Sequence, residues 1–207
     1  MGHDGGVTTS NSPAERFDHL RRECWDRALA ADGTAKLFEL RARRLNSRLT
    51  ALSFAGFAIP IVVGGVVAIG ATVSALSIVL IVSSALGLLQ LVWSLWSLIS
   101  RWSEKSSHAV QSMMTNRQLA EGYSRLATAP PVSLGAFEAA YGLIEVQDSA
   151  QRNSDLSQQI SQQEKRFGMH SALLGRQKAC AGCTIVPRSL KPTDCGVCGD
   201  YPKRWAR

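Results

Sequence analysis

Residues 49–100 carry the sequence LTALSFAGFAIPIVVGGVVAIGATVSALSIVLIVSSALGLLQLVWSLWSLIS, which contains no Asp, Glu, Lys, Arg or His. In a soluble protein, apolar residues recur at the period of a helix or strand, with charged residues between them. An uncharged stretch of 52 residues is instead typical of a segment that lies in a bilayer. One straight helix of this length would measure about 78 Å, while the hydrocarbon core of a bilayer is about 30 Å thick. The stretch therefore predicts two membrane-spanning helices joined by a short turn.

The flanking charges predict how this hairpin is oriented. The spans are placed at 50–69 and 74–99, so the turn falls near Gly70-Ala71-Thr72, with Gly64-Gly65 as a competing bend. Because basic residues accumulate on the cytoplasmic side of a membrane, both chain termini are predicted to lie in the cytoplasm. The basic residues are Arg41, Arg43, Arg44 and Arg48 before the first span, and Arg101 and Lys105 after the second.

The segments outside the hairpin predict helices and a small C-terminal module. Residues 1–11 are rich in Gly, Ser and Thr and are predicted to be disordered. A cytosolic helical segment at 12–48 begins with a capping box from Ser12 to Glu15, and further cytosolic helices occupy 101–168. Pro130-Pro131 separates those helices, and Ser133 is the predicted N-cap after the break. The predicted fold class is an all-α membrane protein: a two-helix transmembrane hairpin, a cytosolic helical bundle, and a four-Cys zinc module at 169–207.

Four of the five cysteines form two pairs, Cys180-x-x-Cys183 and Cys195-x-x-Cys198, separated by eleven residues. Such pairs make tight turns that suit a tetrahedral Zn²⁺ held by four thiolates. A redox dithiol is the alternative, but one redox pair does not need a second pair. Since a closed four-Cys site has no open coordination position, we expect one structural Zn²⁺ per chain. The fifth cysteine, Cys24, is interpreted as a small apolar residue on its helix.

The cysteine-rich module is also basic, with seven Lys or Arg residues against two Asp residues from Arg176 onward. One interpretation is a surface for nucleic acid or another anionic ligand. The favoured interpretation is a basic cytosolic tail lying near anionic lipid. The basic residues singled out are Arg188, Lys191, Lys203, Arg204 and Arg207.

Small and polar residues recur at helical spacing within both spans. Such faces drive close packing of helices in lipid, which is their commoner use, or they line a water-filled pore in an oligomer. Gln90 is the most polar of them, and its amide needs a hydrogen-bond partner inside a bilayer. The polar stripe of span two is Ser83, Gly87, Gln90, Ser94 and Ser97, and the small-residue face of span one is Ser53, Gly56, Pro60 and Gly64.

No group of residues points to catalysis, so the chain is predicted not to be an enzyme. It has no phosphate-binding loop, no nucleophile elbow and no paired carboxylates. The net charge of +7 favours anionic partners. The four histidines are scattered, and each is interpreted as facing solvent: His3, His19, His108 and His170.

The order of these segments resembles the SLATT domain, a two-span effector domain found beside nucleotide second-messenger synthases in bacterial conflict systems. The likeness covers about residues 14–165 and is carried by KLFELRARRL at 36–45 and NRQLAEGY at 116–123. The zinc-ribbon-like tail resembles the mobilome CxxCx(11)CxxC proteins, since the two cysteine pairs match that spacing.

The resemblance implies a bacterial mobile-element or phage-defence setting, with pore formation or membrane disruption as the mechanism. We therefore expect a non-enzymatic effector in the bacterial cytoplasmic membrane, assembled as a homo-oligomer and responding to a sensor or nucleotide-signalling protein. The alternative is a membrane-tethered zinc-binding adaptor whose basic tail binds nucleic acid or a partner protein. Nucleic acid is possible as a partner of the basic tail, but it is not the favoured one.

Overall fold

A computed structural model describes residues 12–68 and 73–206 of the chain. These residues form five α-helices and one short 3₁₀ helix, with no β-strand among them. The predicted disordered segment 1–11 and the predicted turn at Gly70-Ala71-Thr72 lie outside the described residues. The elements are α1 (Pro13–Ala68), α2 (Val73–Ile99), α3 (Trp102–Thr128), α4 (Leu134–Leu156), α5 (Gln162–Arg176) and the 3₁₀ helix Lys203–Ala206.

The chain divides into two compact units. The first, called here the helical bundle, comprises the described residues up to Leu37 and those from Ser112 onward. The second, called the apolar unit, comprises Phe38–Gln111. Helices α1 and α3 each contribute residues to both units.

Several helix boundaries follow from local capping. Ser12 and Glu15 form the predicted capping box, in which each side chain accepts a hydrogen bond from the other residue's backbone N–H. Ser133 caps α4 by accepting from the Ala136 N–H. A second capping box, between Ser161 and Glu164, starts α5 after the chain leaves α4 at Leu156. These caps provide partners for N–H groups that a helix leaves unpaired at its start.

The bundle has an aromatic and small-residue core between α1, α3 and α4. Tyr123 and Phe137 are fully buried, and Phe17 meets Phe137 edge-on with 5.0 Å between ring centroids. Cys24 is 0% exposed and packs in the same cluster, which agrees with its interpretation as a small apolar residue. The core buries Cys24, Ala28, Tyr123, Ala127, Phe137 and Tyr141.

A buried carboxylate, Asp148, links three helices of the bundle. It accepts from the Tyr123 hydroxyl at 3.2 Å and pairs with the Arg152 guanidinium at 3.1 Å. The Arg27 guanidinium of α1 lies 3.7 Å away. Burial, followed by the negative charge of Asp148, raises the pKa of Tyr123 above its usual range. The hydroxyl therefore stays protonated and remains a donor to the carboxylate.

A second buried carboxylate, Asp155, fixes the register of α3 against α4. It accepts hydrogen bonds from the Ser112 hydroxyl at 2.7 Å and from the Asn116 and Gln151 side-chain amides at 2.9 and 2.8 Å. Breaking one of these bonds would leave a buried polar group unpaired, which is costly.

Helix α1 is continuous through Asp32-Gly33, and α5 crosses it there at backbone contact. A Cβ atom built on Gly168 would overlap the carbonyl oxygen of Gly33 and lie 3.2 Å from the Leu37 Cβ. Only glycine at 168 permits this approach. Since α5 runs unbroken from Gln162 to Arg176, it also crosses the predicted domain boundary between 168 and 169.

The apolar unit contains one described segment that is long and apolar enough to cross a membrane, Leu80–Ile99 of α2. The observed start and end of α2 lie within one residue of the predicted second span. Helix α1 continues without a break into the predicted first span and reaches Ala68. Arg101, with a left-handed φ of 53°, separates the end of α2 from the start of α3.

Candidate metal centre

The first cysteine pair lies in a tight turn that begins at Cys180, and three residues separate Cys180 from the end of α5 at Arg176. The Gly182 N–H donates to the Cys180 Sγ at 3.4 Å. The Thr184 N–H donates to the Cys180 carbonyl oxygen at 2.8 Å, which closes the turn. Together these bonds orient the Cys180 sulfur and place the Cys183 side chain beside it.

The second pair repeats this turn. The Val197 N–H donates to the Cys195 Sγ at 3.4 Å, and the Gly199 N–H donates to the Cys195 carbonyl oxygen at 2.8 Å. Thr184 and Gly199 therefore hold equivalent positions. Thr184 has a left-handed φ of 58°, which a β-branched residue adopts at a cost. Gly199 has no room for a side chain, because an added Cβ would overlap the Thr193 backbone carbonyl.

The two turns bring all four sulfurs to one point. Every pair of sulfurs lies within 4.8 Å, with 4.0 Å between Cys180 and Cys195 and 3.9 Å between Cys183 and Cys198. Four thiolates around a tetrahedral Zn²⁺, with Zn–S bonds of about 2.3 Å, would stand about 3.8 Å apart. All four cysteines are free thiols. The donor set and its spacing fit a metal ion of the Zn²⁺ type.

The thiol pKa differs between two cysteines of the cluster. Backbone N–H groups, first that of Cys198 and then that of Val197, lower the pKa of the Cys195 thiol to about 6. Burial, followed by the neighbouring thiols, raises the pKa of Cys198. The N–H groups aimed at Cys195 would equally stabilise a metal-bound thiolate.

The eleven-residue spacing and the convergence of the four sulfurs are features of a described family. The sequence profile of the mobilome CxxCx(11)CxxC protein matches residues 21–201. The chain belongs to this family. No curated protein and no solved structure matched the chain. Because the match begins in α1, the CxxCx(11)CxxC family is defined over the helices as well as over the cysteine turns.

In this family member the four-Cys cluster packs against the helical bundle. Its buried members, Cys180 and Cys198, contact Leu173 of α5. Met169 of α5 and Leu29 of α1 border the same cluster. The cysteine turns are thus part of the bundle's own hydrophobic surface and are not a free tail.

His170 of α5 connects the bundle to both sides of the cysteine module. It is 2% exposed, so the interpretation that it faces solvent is wrong. Its Nδ1 lies 2.7 Å from the carbonyl oxygen of Cys198, and its Nε2 lies 2.8 Å from that of Ser189. Carbonyl oxygens only accept, so both contacts are hydrogen bonds when both ring nitrogens carry hydrogen. The spacing of three residues from Phe167 was the available indication that His170 lies on the buried face of α5.

An aromatic cluster holds the end of the chain against α5. Phe167 meets Tyr201 edge-on at 5.4 Å and Trp205 at 5.9 Å between ring centroids. The Tyr201 hydroxyl donates to the Leu190 carbonyl at 2.9 Å, and burial raises the pKa of Tyr201 to about 12. Tyr201 and Trp205 are neighbours of basic residues in the sequence, and they are buried anchors of the module.

Ion pairs also join the module and α5 to the rest of the bundle. Arg166 of α5 pairs with Asp200, and Lys178 pairs with Asp26 of α1 at 3.1 Å. Arg176 pairs with Asp32 at 3.1 Å. Several cations near the module are therefore occupied with structural partners.

The predicted basic residues of the tail lie on the surface of the module. Arg188 and Lys191 border an open cavity of about 540 Å³ that also touches His170. Lys203 and Arg204 are exposed on the terminal 3₁₀ helix, and Arg207 lies outside the described residues.

Some residues of the predicted polar stripe and of the predicted small-residue face lie on the less exposed side of the apolar unit. A Cβ on Gly56 would lie 3.2 Å from the Gln90 amide nitrogen, so these two residues face each other across α1 and α2. Ser83, Gly87 and Gln90 are half-buried and Ser97 is buried, whereas Ser94 and Ser53 are exposed. Pro60 and Gly64 lie in α1, and the burial of these two residues falls outside the described part.

Proposed function

We propose that this chain is a non-enzymatic membrane effector that inserts into a bacterial cytoplasmic membrane as a two-span hairpin. The observation that carries the proposal is the exposure of apolar side chains along α2. Leu91 is 68% exposed and Leu98 is 76% exposed, and 6% of the apolar segment is buried. A helix that presents Leu, Val and Trp on most sides needs an apolar surrounding, which lipid supplies.

The first span of the hairpin would be the C-terminal part of α1. Its residues from 49 to 68 carry no charge, and α1 remains helical over them. The Arg48 guanidinium lies 5.6 Å from the centroid of the Trp102 ring, an arrangement suited to the cytoplasmic interface. Both chain termini would then lie in the cytoplasm.

The active part of the effector would be the polar stripe of α2. Gln90 faces Gly56, where the small residue lets the amide approach the neighbouring helix. In the resting hairpin this contact would shield the amide from lipid. A signal from a sensor or nucleotide-signalling protein would rearrange the hairpins in a homo-oligomer and open a path along the stripe. The mobile-element family and the SLATT-like order of segments support a setting in phage defence.

The role of the zinc module in this proposal is structural. Four thiolates would satisfy tetrahedral Zn²⁺ and leave no position for a substrate. The module docks through Leu173, His170 and Phe167 of α5, so bound Zn²⁺ would stabilise the bundle that carries the hairpin.

Reconstitution into liposomes tests the proposal. Wild-type protein should release a trapped dye, and Gln90→Leu should reduce the release at least tenfold. Ser84→Leu is the matched control, because Ser84 is an exposed polar residue of α2 outside the stripe. Equal leakage from both variants, or no leakage and no depolarisation of cells under any condition, would refute the effector.

Topology is tested separately with reporter fusions. A reporter active only in the cytoplasm should work at both termini, and alkaline phosphatase inserted near residue 71 should be active outside the membrane. A terminus found on the outer side would exclude the two-span hairpin.

The second candidate function is a membrane-tethered adaptor. The exposed Arg188 and Lys191 beside the 540 Å³ cavity favour it, since two cations at a concave surface suit an anionic ligand. The full chain should then bind DNA or RNA in a salt-dependent way, and Arg188→Glu with Lys191→Glu should weaken binding. Absence of binding at low salt would eliminate the nucleic-acid version.

A further inference from the structure

All the charged residues of the apolar unit flank its uncharged stretch. They lie at 38–48 before the stretch and at 101–111 after it. Six of them are cations and two are carboxylates, so the formal net charge of the unit, with His neutral, is +4. The six cations, called here the basic collar, are Arg41, Arg43, Arg44, Arg48, Arg101 and Lys105.

Two ring contacts within the apolar unit bring the two flanking segments together. The ring centroids of Phe38 and His108 lie 5.9 Å apart, and the guanidinium carbon of Arg48 lies 5.6 Å from the centroid of the Trp102 ring. Because the earlier residue of α1 meets the later residue of α3, the two segments run antiparallel. The cations from before and after the uncharged stretch are therefore concentrated in one region.

Three exposed cations gather at the edge of this region that adjoins the uncharged stretch. Arg48 is the last charged residue before the stretch, and Arg101 is the first after it. Lys105 follows Trp102 by three residues in α3, so these two side chains share one face of the helix. Arg48, Arg101 and Lys105 are all exposed. The Trp102 ring thus has a guanidinium beside it and an ammonium one turn away.

Part of this positive charge has no counter-charge within the chain. Glu104 pairs with Arg101, and the other carboxylate of the unit pairs with Arg43 of α1. No carboxylate of the described residues forms an ion pair with Arg48 or Lys105. A guanidinium that lies beside an aromatic ring can still donate from its N–H groups, and a phosphate can accept two of them at once. The arrangement therefore suits a phosphate group.

The neighbouring tryptophans indicate the source of that phosphate. Trp93 and Trp96, in the last two turns of α2, are 54% and 61% exposed. Tryptophan is enriched where a membrane-spanning helix reaches the lipid headgroups. In a bilayer that surrounds the apolar side chains of α2, the cations beside Trp102 would lie at the depth of the lipid phosphates.

We propose that Arg48, Trp102 and Lys105 form a binding site for the phosphate of a phospholipid with a net negative headgroup. The site rests on the proposed function, because it requires the hairpin to lie in a bilayer. A zwitterionic lipid carries an ammonium beside its phosphate, and the net charge of +4 disfavours that ammonium. A bound anionic headgroup would neutralise both cations and hold the cytoplasmic ends of the two spans together.

Native mass spectrometry of the full chain in detergent tests the lipid selectivity without relying on dye release. Phosphatidylglycerol should bind about tenfold or more tightly than phosphatidylcholine with the same acyl chains. Soluble glycerophosphoglycerol at millimolar concentration should not displace the bound lipid. Equal affinity for the two lipids, or displacement by the soluble headgroup, would overturn the proposal.

A matched pair of double variants locates the site. Each cation near an anionic surface contributes about fivefold to affinity, so Arg48→Gln with Lys105→Gln should weaken phosphatidylglycerol binding about 25-fold. Arg22→Gln with Lys165→Gln removes the same charge from exposed residues of the helical bundle and should leave the affinity unchanged. Circular dichroism at 222 nm should show the same helix content in both. Equal weakening by the two double variants would refute the site, since net charge alone would then explain the binding.

The headgroup site and the effector function can fail separately. Selective binding of phosphatidylglycerol without dye release from liposomes would support the site and count against the effector. Dye release without any preference for phosphatidylglycerol would overturn the site and support the effector.

Discussion

Replacing Gly168 by alanine should destabilise the helical bundle, although alanine is the better helix former. The added Cβ would overlap the Gly33 carbonyl oxygen and lie 3.2 Å from both the Gly33 carbonyl carbon and the Leu37 Cβ. Two of these three atoms belong to the backbone of α1 and cannot rotate away. The helices must therefore separate, which loosens the packing of α5 on α1.

The expected magnitude combines two opposing effects. Overpacking a close contact costs about 1–3 kcal/mol, and a backbone overlap belongs at the upper end of that range. Alanine recovers about 1 kcal/mol of helix propensity. The net loss of unfolding free energy should be about 2 kcal/mol, which lowers the Tm of a chain of this size by about 4–8 °C.

Two glycines provide matched controls for Gly168→Ala. Gly175 lies in the same helix, and a Cβ there meets nothing within 4 Å, so Gly175→Ala should raise the Tm by about 2 °C. At Gly33 the added Cβ would stand 3.5 Å from the nearest atoms of Gly168 and Met169, which is ordinary contact. Gly33→Ala should therefore be neutral or slightly stabilising, even though it lies at the same helix crossing.

Thermal unfolding of the metal-loaded protein in detergent, followed by circular dichroism at 222 nm, measures all three changes. The sign difference between Gly168→Ala and Gly175→Ala is the decisive result. If both variants gained stability, the backbone contact between α1 and α5 would be incorrect.

Four further outcomes are expected. Elemental analysis should find one Zn²⁺ per wild-type chain, lost in Cys180→Ser and retained in Cys24→Ala; a folded, metal-free wild type would contradict the site. Cys24 should react with a thiol reagent at pH 8 only after unfolding, because it is 0% exposed and burial raises its pKa to about 11; rapid labelling of the folded protein would contradict its burial. Thr184→Gly should stabilise the protein by about 1 kcal/mol in thermal melts, since it removes a left-handed threonine, and a loss would disprove strain there. His170→Ala should remove the imidazole that lies against the carbonyl oxygens of Cys198 and Ser189 and speed metal loss to a chelator by at least tenfold, whereas His19→Ala, at an exposed residue, should not change that rate.

The local parts of this protein were predictable because short-range chemistry determines them. Ser12, Ser133 and the proline pair before it predicted helix boundaries that the structure contains, since a cap satisfies N–H groups within one turn. The two Cys-x-x-Cys turns likewise predicted a four-sulfur cluster, because each turn is closed by hydrogen bonds to its own first cysteine.

Parts that depend on distant residues were not predictable in the same way. An Asp-Gly pair is typical of turns, yet Gly33 lies in a continuous helix that Gly168 of α5 contacts. His170 looked like one of four scattered histidines, and its role depends on carbonyl groups nineteen and twenty-eight residues away.

By itself the sequence determined the class of the protein: a helical chain with an uncharged 52-residue stretch and a four-cysteine cluster, because charge segregation and cysteine spacing are properties of the linear chain. Only the tertiary structure decided that the cysteine module is fastened to α5 by His170, Phe167 and Leu173. Burial depends on which distant residues folding brings together, and the sequence of one segment does not show which other segment will contact it.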